Sequence, residues 1–226
     1  MTIEQIHKYF DLLFDKVEEP YLTSDEKDVF INRATFDYIN DFFKPTDGVR
    51  NGETASFDTE ALIPIIQRLS LDTDNIGRLF YTDIDAQTDT SFMYLLNAAI
   101  KESGCEVTAN YRPSRFVRHN DFFKHQDNSF KEGTKVYPIH RYLNTHIQFN
   151  PAEALNTQIT IIKEPVMATL DDPNNTGTAG PNAVNVELPD KTHNNIVYRA
   201  LNLTSVEVRE ADFYSMTQQL QSQNIQ

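Results

Sequence analysis

Histidines are the side chains in this sequence best suited to chemistry, because imidazole binds metals and acts as a general base near neutral pH. Four of the six lie in the middle of the chain, at His119, His125, His140 and His146. No two of these four have the His-x-x-x-His spacing that would place both on one face of a helix. His119 stands close to Asp121 in a stretch of mixed polarity that is typical of a loop. We therefore expect no metal site.

Signatures of covalent catalysis and of nucleotide binding are also weak. Cys105 is the sole cysteine; it follows Gly104 and opens a predicted strand, where a buried structural thiol is expected. The seven glycines show neither Walker nor Rossmann spacing, and there is no Gly-x-Ser-x-Gly motif. Pairs such as Asp83 with Asp85 arise easily by chance among 33 acidic residues. We expect no catalytic residue and no cofactor, and an enzyme with a carboxylate or histidine site is our third hypothesis.

A basic segment between residues 112 and 135 is the one constellation with a distinct charge. Its cationic residues are Arg112, Arg115, Arg118, Lys124, Lys131 and Lys135. The aromatic residues interleaved with them are Tyr111, Phe116, Phe122, Phe123 and Phe130. Alternating cations and rings are typical of proteins that bind single-stranded nucleic acid. Our second hypothesis is therefore an intracellular nucleic-acid-binding or regulatory protein that uses residues 112–135.

The charge of the whole chain favours a different use of these cations. The formal net charge is −13, to which residues 1–60 contribute −8 and residues 112–141 contribute +4. Such a small positive charge in an acidic chain would attract nucleic acid only weakly over distance. One acidic and one basic surface suit head-to-tail assembly, because each copy offers its positive side to its neighbour's negative side. The six cationic residues are therefore predicted to form an interface between subunits.

Helical patterns lie near both ends of the chain. The first runs from Thr2 to about Val17, with a second over residues 23–43 and a third over 191–210. The second begins with a capping box, in which Thr23 and Glu26 satisfy each other's backbone amides. Its apolar residues recur at three and four positions, at Phe30, Ile31, Ala34, Tyr38, Ile39 and Phe42. The first two helices should form a hairpin, since Pro20 interrupts the helical pattern between them.

Strand patterns dominate the middle of the chain. Strands are predicted over residues 78–81, 106–111, 136–143, 146–149 and 158–163, whereas residues 92–99 fit either a helical turn or a buried strand. A helix is predicted over 58–71, and an irregular helix over 114–125. Residues 171–185, rich in Asn, Gly and Pro, form a predicted flexible loop, and the tail 214–226 is rich in Gln.

These patterns predict an α+β fold: a helical bundle from the N-terminal hairpin and the C-terminal helix, with an inserted antiparallel β-region. The predicted divisions are residues 1–75 with 186–226 for the bundle, 76–170 for the β-rich insertion and 171–185 for the loop. No apolar run approaches the roughly 20 residues that span a bilayer. The first four residues lack the basic start of a secretion signal. We expect a protein of the cytosol, or of a particle assembled there, with no membrane partner.

Several segments carry a resemblance to a known family. They are residues 20–26 (PYLTSDE), 29–34 (VFINRA), 118–124 (RHNDFFK), 163–165 (KEP), 195–200 (NIVYRA) and 209–214 (READFY). The first two resemble the start of the second helix in head-to-tail adaptor and ring proteins of short-tailed phages. The last two are similar to the closing helix and the following turn of that family. The two middle segments resemble virion proteins of crAss-like phages.

The resemblance implies a structural virion protein with no catalytic residues. It implies a homo-oligomeric ring, commonly twelve-fold, that binds the portal protein and other tail or ring proteins at the head–tail junction. Such a ring lines the DNA exit channel, through which genomic DNA passes without sequence-specific contact, and it assembles in the host cytoplasm. On this hypothesis, residues Arg112 to Lys135 meet either a neighbouring subunit or the portal.

Overall fold

The computed structural model describes residues 1–14, 22–43, 59–88, 91–101, 111–126, 128, 131–153 and 155–208. The fold is α+β, as predicted, with six helices and two β-sheets among these residues. The helices are α1 (Ile3–Phe14), α2 (Ser24–Asp41), α3 (Thr59–Leu62), α4 (Tyr81–Thr88), α5 (His119–Gln126) and α6 (Asp190–Val208). The strands are β1 (Ile66–Asp72), β2 (Arg78–Phe80), β3 (Phe92–Lys101), β4 (Tyr111–Pro113), β5 (Arg115–Phe116), β6 (Ile139–Tyr142), β7 (His146–Asn150) and β8 (Asn156–Lys163).

The chain divides into two compact units. One, which we call the terminal unit, comprises Met1–Ile65 and Pro165–Gln226; the other, the sheet unit, comprises Ile66–Glu164. Charge follows this division closely. The terminal unit has 21 acidic and 9 basic residues, a net of −12, whereas the sheet unit has 12 acidic and 11 basic residues, a net of −1. Almost all of the excess negative charge therefore belongs to the terminal unit.

In the terminal unit, α6 packs against both α1 and α2. Its face of Ile196, Val197, Ala200 and Leu201 is wholly buried. The Tyr9 hydroxyl lies 2.8 Å from that of Tyr198 and joins α1 to α6. The first and last described helices thus share one compact unit, since apolar stripes at helical spacing must be covered by another element.

The predicted capping box of α2 is confirmed. The Thr23 hydroxyl accepts from the backbone amide of Glu26, and the Glu26 carboxylate accepts from the amide of Thr23 at 2.8 Å. Of the predicted apolar face, Ile31, Ala34 and Ile39 are fully buried, while the aromatic residues are half-buried. The Asn32 side-chain amide makes two hydrogen bonds of 2.8 Å with the backbone of Ala168, donating to its carbonyl oxygen and accepting from its amide. They fix α2 to the chain segment that precedes α6.

The sheet unit contains two four-stranded sheets, ordered β1-β8-β3-β4 and β2-β7-β6-β5. All neighbouring strands are antiparallel except β5 and β6, which run parallel. Strand β8 is central to the first sheet because it pairs with both β1 and β3. Ile159 and Ile161 of β8 and Ile147 and Phe149 of β7 belong to one buried apolar cluster. The two sheets thus share a core.

One predicted helix is wrong. Residues 58–71 were expected to be helical from the spacing of Leu62, Ile66 and Leu69. The described part of this stretch is instead α3, a 3-10 turn over Ile63–Ile65 and then β1. Pro64 has no amide hydrogen to continue a helix, and β1 pairs along its full length with β8. The ambiguous residues 92–99 lie in a strand, β3.

Residues 171–185, the predicted flexible loop, lie between β8 and α6 and contain several hydrogen-bonded turns. The Asp172 carboxylate accepts from the Gly177 amide at 2.6 Å and from the Ser24 hydroxyl at 3.4 Å. An isolated antiparallel bridge joins Thr169 to Val184. These bonds connect the segment to itself and to the start of α2. The predicted tail 214–226 and most of the predicted strand 106–111 lie outside the described residues.

Among the described helices, none combines the length and the apolar character that a membrane crossing requires.

Candidate functional site

The six cationic residues predicted to form an interface all belong to the sheet unit and are all exposed. Arg112 lies in β4, Arg115 in β5 and Lys124 in α5. Arg118 precedes α5, and its carbonyl accepts from the amides of Asp121 and Phe122. Lys131 and Lys135 lie between α5 and β6. The structure therefore places this cationic set on the surface of one unit.

The six cations differ in whether a carboxylate already neutralises them. Lys124 pairs with Asp121 at 3.2 Å, and Lys135 pairs with Glu153 at 3.2 Å. Arg115, Arg118 and Lys131 form no ion pair with any residue in the described ranges. Exposed ion pairs add little stability, but they reduce the charge available to a partner. The unneutralised cations are thus the ones best suited to bind an anion.

A seventh cation, Arg141, was not predicted as a site residue and is buried. Only 7% of its surface is exposed, and its guanidinium lies 4.3 Å from the centre of the Phe122 ring and 4.7 Å from that of Phe123. It also donates to the Gln148 side chain at 2.6 and 3.0 Å. Burial lowers the pKa of Arg141. The cation fixes α5 onto β6 and β7 through ring contacts that charge patterning could not reveal.

His140 lies in β6, an inner strand of the second sheet, and is buried. Its Nδ1 lies 2.9 Å from the Ser114 hydroxyl, and burial lowers its pKa to about 4. Its ring is 5.9 Å from that of Phe116 and 5.8 Å from that of Phe149. The imidazole is therefore neutral near pH 7 and packs as part of an aromatic cluster.

The other central histidines have separate surroundings. His119 Nδ1 lies 3.4 Å from Arg141, His125 Nε2 lies 3.5 Å from Arg115, and His146 Nδ1 lies 3.0 Å from the Thr145 hydroxyl. Within the described ranges, no three His, Cys, Asp or Glu side chains are grouped so that they could hold a metal ion.

Two of the aromatic residues that are interleaved with the cations are exposed. Phe116 stacks on Tyr142, with ring centres 4.9 Å apart and planes 27° apart, and roughly half of Phe116 faces solvent. Phe123 is also more than half exposed, whereas Phe122 is wholly buried. Phe116 follows Arg115 in β5, and successive side chains of a strand point to opposite faces of the sheet. The stacked rings are therefore a surface feature distinct from the Arg115 side chain.

A cleft of about 700 Å³ lies in the same region of the sheet unit. It is lined by Arg115, by His125 from the end of α5, and by Lys131, Thr134 and Tyr137 from the segment that leads to β6. Pro113, Pro138 and Ile139 add an apolar surface. Both lining cations are predicted site residues, but their sequence positions could not show that they share one cleft, because α5 lies between residues 115 and 131.

The terminal unit contains a buried polar network that the sequence did not reveal. The Asp28 carboxylate in α2 lies 2.8 Å from His7 Nε2 in α1 and accepts from the Leu170 amide at 2.9 Å. Both residues are less than one-tenth exposed. Nearby, the Lys27 ammonium lies 2.6 Å from the Asp11 carboxylate. The network joins three separate segments of the chain and is consistent with a structural role.

The rest of the acidic charge is largely at the surface. Asp25 and Glu26 are exposed in the first turn of α2, where the helix dipole favours a negative charge. Glu60 is exposed in α3 and lies 3.7 Å from Lys191. The terminal unit therefore offers exposed carboxylates to a cationic partner.

No model of a known protein family matches this chain, and no curated protein sequence matches it.

Proposed function

We propose that this protein is a structural virion protein that forms a head-to-tail adaptor ring of about twelve copies below the portal of a short-tailed phage. The observation that carries the proposal is the charge division between the two units. The terminal unit holds a net −12, while the sheet unit presents six exposed cations in a single stretch of sequence. Copies that combine two such surfaces attract one another in a head-to-tail arrangement.

The architecture that we propose for the subunit is a helical bundle of α1, α2 and α6 carrying the β-rich region as an insertion. The packing of α6 against α1 and α2 supports this description. In the ring, exposed cations such as Arg112, Arg118 and Lys124 contact the acidic surface of the next copy or of the portal. A head-to-tail contact closes into a ring when its rotation divides a full turn evenly.

The acidic terminal unit has a further role in this proposal. Carboxylates that line a channel repel the phosphates of passing DNA, so the genome slides without binding. The ring would thus belong to the head–tail junction of the virion and would assemble in the host cytoplasm, with the portal and other tail or ring proteins as partners. No catalytic residue, cofactor or metal is needed for this function.

The proposal is tested by removing charge from the sheet unit. A triple variant with Arg112→Gln, Arg118→Gln and Lys124→Gln should assemble more weakly than the native protein in sedimentation velocity at low salt. Three exposed ion pairs at about 0.2–1 kcal/mol each amount to roughly 0.6–3 kcal/mol for every interface. The dissociation constant of each interface should therefore rise about threefold to 150-fold.

A matched control removes the same charge from the terminal unit. The control variant carries Lys8→Gln, Arg33→Gln and Lys191→Gln, at positions that are all exposed. It should assemble at least as well as the native protein, because it makes the acidic surface more negative. Equal sedimentation of both variants and of the native chain would contradict the proposal. Loss of binding to single-stranded DNA without any change in assembly would instead support the nucleic-acid hypothesis.

A further inference from the structure

The cleft of the sheet unit has the composition of an anion site. Arg115 and Lys131 line it, and neither forms an ion pair with a described residue. Among the lining residues that the structure describes, Glu132 is the sole carboxylate. Neighbouring cations outside the cleft, Lys124 and Lys135, have carboxylate partners. Two of the three cations without an ion pair therefore line one concave surface, whereas Arg118 is not among its lining residues. A concave site strengthens the attraction of such cations for an anion.

The donors around the cleft suit phosphate. Arg115 offers a planar fork that matches two phosphate oxygens, Lys131 adds a compact charge, and Thr134 carries a hydroxyl. His125 Nε2 lies 3.5 Å from the Arg115 guanidinium, so this imidazole helps to position the arginine. A single carboxylate has only two oxygens and would use fewer of these donors. The set is better matched to the three terminal oxygens of a phosphate group.

The remaining lining suits a flat ring. Tyr137 is 77% exposed, and its side chain stands at the cleft without a hydrogen-bond or ring partner among the described residues. Pro138 and Ile139 supply an apolar surface beside it. Exposed aromatic rings stack on nucleobases with useful energy and little sequence preference. The volume of about 700 Å³ also lies within the roughly 300–1,000 Å³ of small-molecule sites.

We infer that this cleft binds a nucleotide, with its phosphate held by Arg115 and Lys131 and its base stacked on Tyr137. The nucleotide is either a free mononucleotide or one unit of a single DNA strand. This inference goes beyond the ring proposal, because it assigns a ligand to a cleft within one subunit. It does not depend on whether the copies assemble.

Isothermal titration of the full chain with dTMP, inorganic phosphate and a ten-residue oligo(dT) at low salt tests the inference. We expect dTMP to bind more tightly than phosphate. Arg115→Ala and Lys131→Ala should each weaken dTMP binding by at least about tenfold, as expected for loss of a charge-assisted hydrogen bond. The control Lys135→Ala removes an exposed cation that lies outside the cleft, and it should change binding by less than about threefold.

The Tyr137→Ala variant distinguishes the contribution of the base to binding from that of the phosphate. It should weaken dTMP binding about fivefold or more and leave phosphate binding unchanged, since stacking involves only the base. Tighter binding of the oligomer than of dTMP would identify a strand as the ligand, and equal binding would identify a free nucleotide.

Three results would overturn the inference. The first is that the folded protein binds neither dTMP nor the oligomer. The others are that Lys131→Ala and Lys135→Ala weaken dTMP binding equally, or that Tyr137→Ala leaves dTMP affinity unchanged. Light scattering on the same samples reports assembly separately. A failed nucleotide site is thereby distinguished from a failed ring.

Discussion

Replacing Asp28 with alanine should cost the terminal unit a large part of its stability. This carboxylate is buried, and its two oxygens serve two different segments of the chain. One oxygen lies 2.8 Å from His7 Nε2 and the other accepts from the Leu170 amide at 2.9 Å. Truncation to alanine removes both acceptors at once and leaves two buried donors unsatisfied.

The size of the effect follows from these two contacts. A buried donor that loses its partner costs about 1–3 kcal/mol, so the two together cost roughly 2–6 kcal/mol. Because whole domains are stable by only about 5–15 kcal/mol, the Asp28→Ala variant should be close to unfolding.

Urea unfolding followed by far-UV circular dichroism measures this loss, since α1, α2 and α6 supply most of the helical signal. Asp28→Asn keeps one acceptor and should fall between the native protein and Asp28→Ala. Asp25→Ala is a matched control on the exposed side of the same helix, and it should cost no more than about 1 kcal/mol. A double-mutant cycle with His7→Ala should give a coupling of at least about 1 kcal/mol.

A loss below about 1 kcal/mol for Asp28→Ala would refute this reasoning. It would mean that water reaches the His7 and Leu170 donors once the carboxylate is gone. Additive effects of His7→Ala and Asp28→Ala would likewise show that the two side chains do not interact.

Two further predictions concern the sheet unit. Burial lowers the pKa of His140 from the ordinary 6.5 to about 4. Between these two pH values the unfolded chain binds a proton that the folded chain does not bind. The free energy of unfolding should therefore fall by roughly 3 kcal/mol as the pH drops from about 6.5 to 4. His140→Gln should remove that part of the pH dependence, and unchanged pH-dependent unfolding in this variant would show that His140 is not its source. Gly133→Ala should destabilise the unit by about 1–3 kcal/mol, because a Cβ there would stand 2.4 Å from the Asn150 carbonyl oxygen and 2.8 Å from Ile139 Cγ1. Thermal unfolding checks this, and a melting temperature equal to that of the native protein would disprove the predicted clash.

Local signals in the sequence predicted several elements well. The capping box at Thr23 located the start of α2 because both of its partners lie within one helical turn. The strand predicted over residues 158–163 corresponds to β8, in which Ile159 and Ile161 are buried on one face. Where the interacting residues are close in sequence, the pattern contains the information that determines the structure.

The failures involve partners that are distant in sequence. The spacing of Leu62, Ile66 and Leu69 fitted a helix, but pairing with β8, about ninety residues further on, made residues 66–71 of that stretch a strand. Phe116, Phe122 and Phe123 are equally hydrophobic, yet the fold buries only Phe122. Hydrophobicity alone does not say which of several neighbouring rings another element will cover.

The candidate site shows the same limit. Composition predicted six cations in one segment, and the structure places all six at the surface. Composition could not predict that Lys135 pairs with Glu153, or that Arg115 and Lys131 line the same cleft. The charge available for binding is thus concentrated on fewer residues than the sequence suggested.

Light scattering of the purified full chain across a range of salt concentrations tests the central claim most directly. If the acidic terminal unit of one copy meets the cations of the next, the protein should form a closed oligomer of fixed subunit number at low salt. That oligomer should dissociate as the salt concentration rises, because screening weakens contacts between exposed charges. A monomer at every protein and salt concentration would contradict the claim, as would an oligomer whose mass is indifferent to salt.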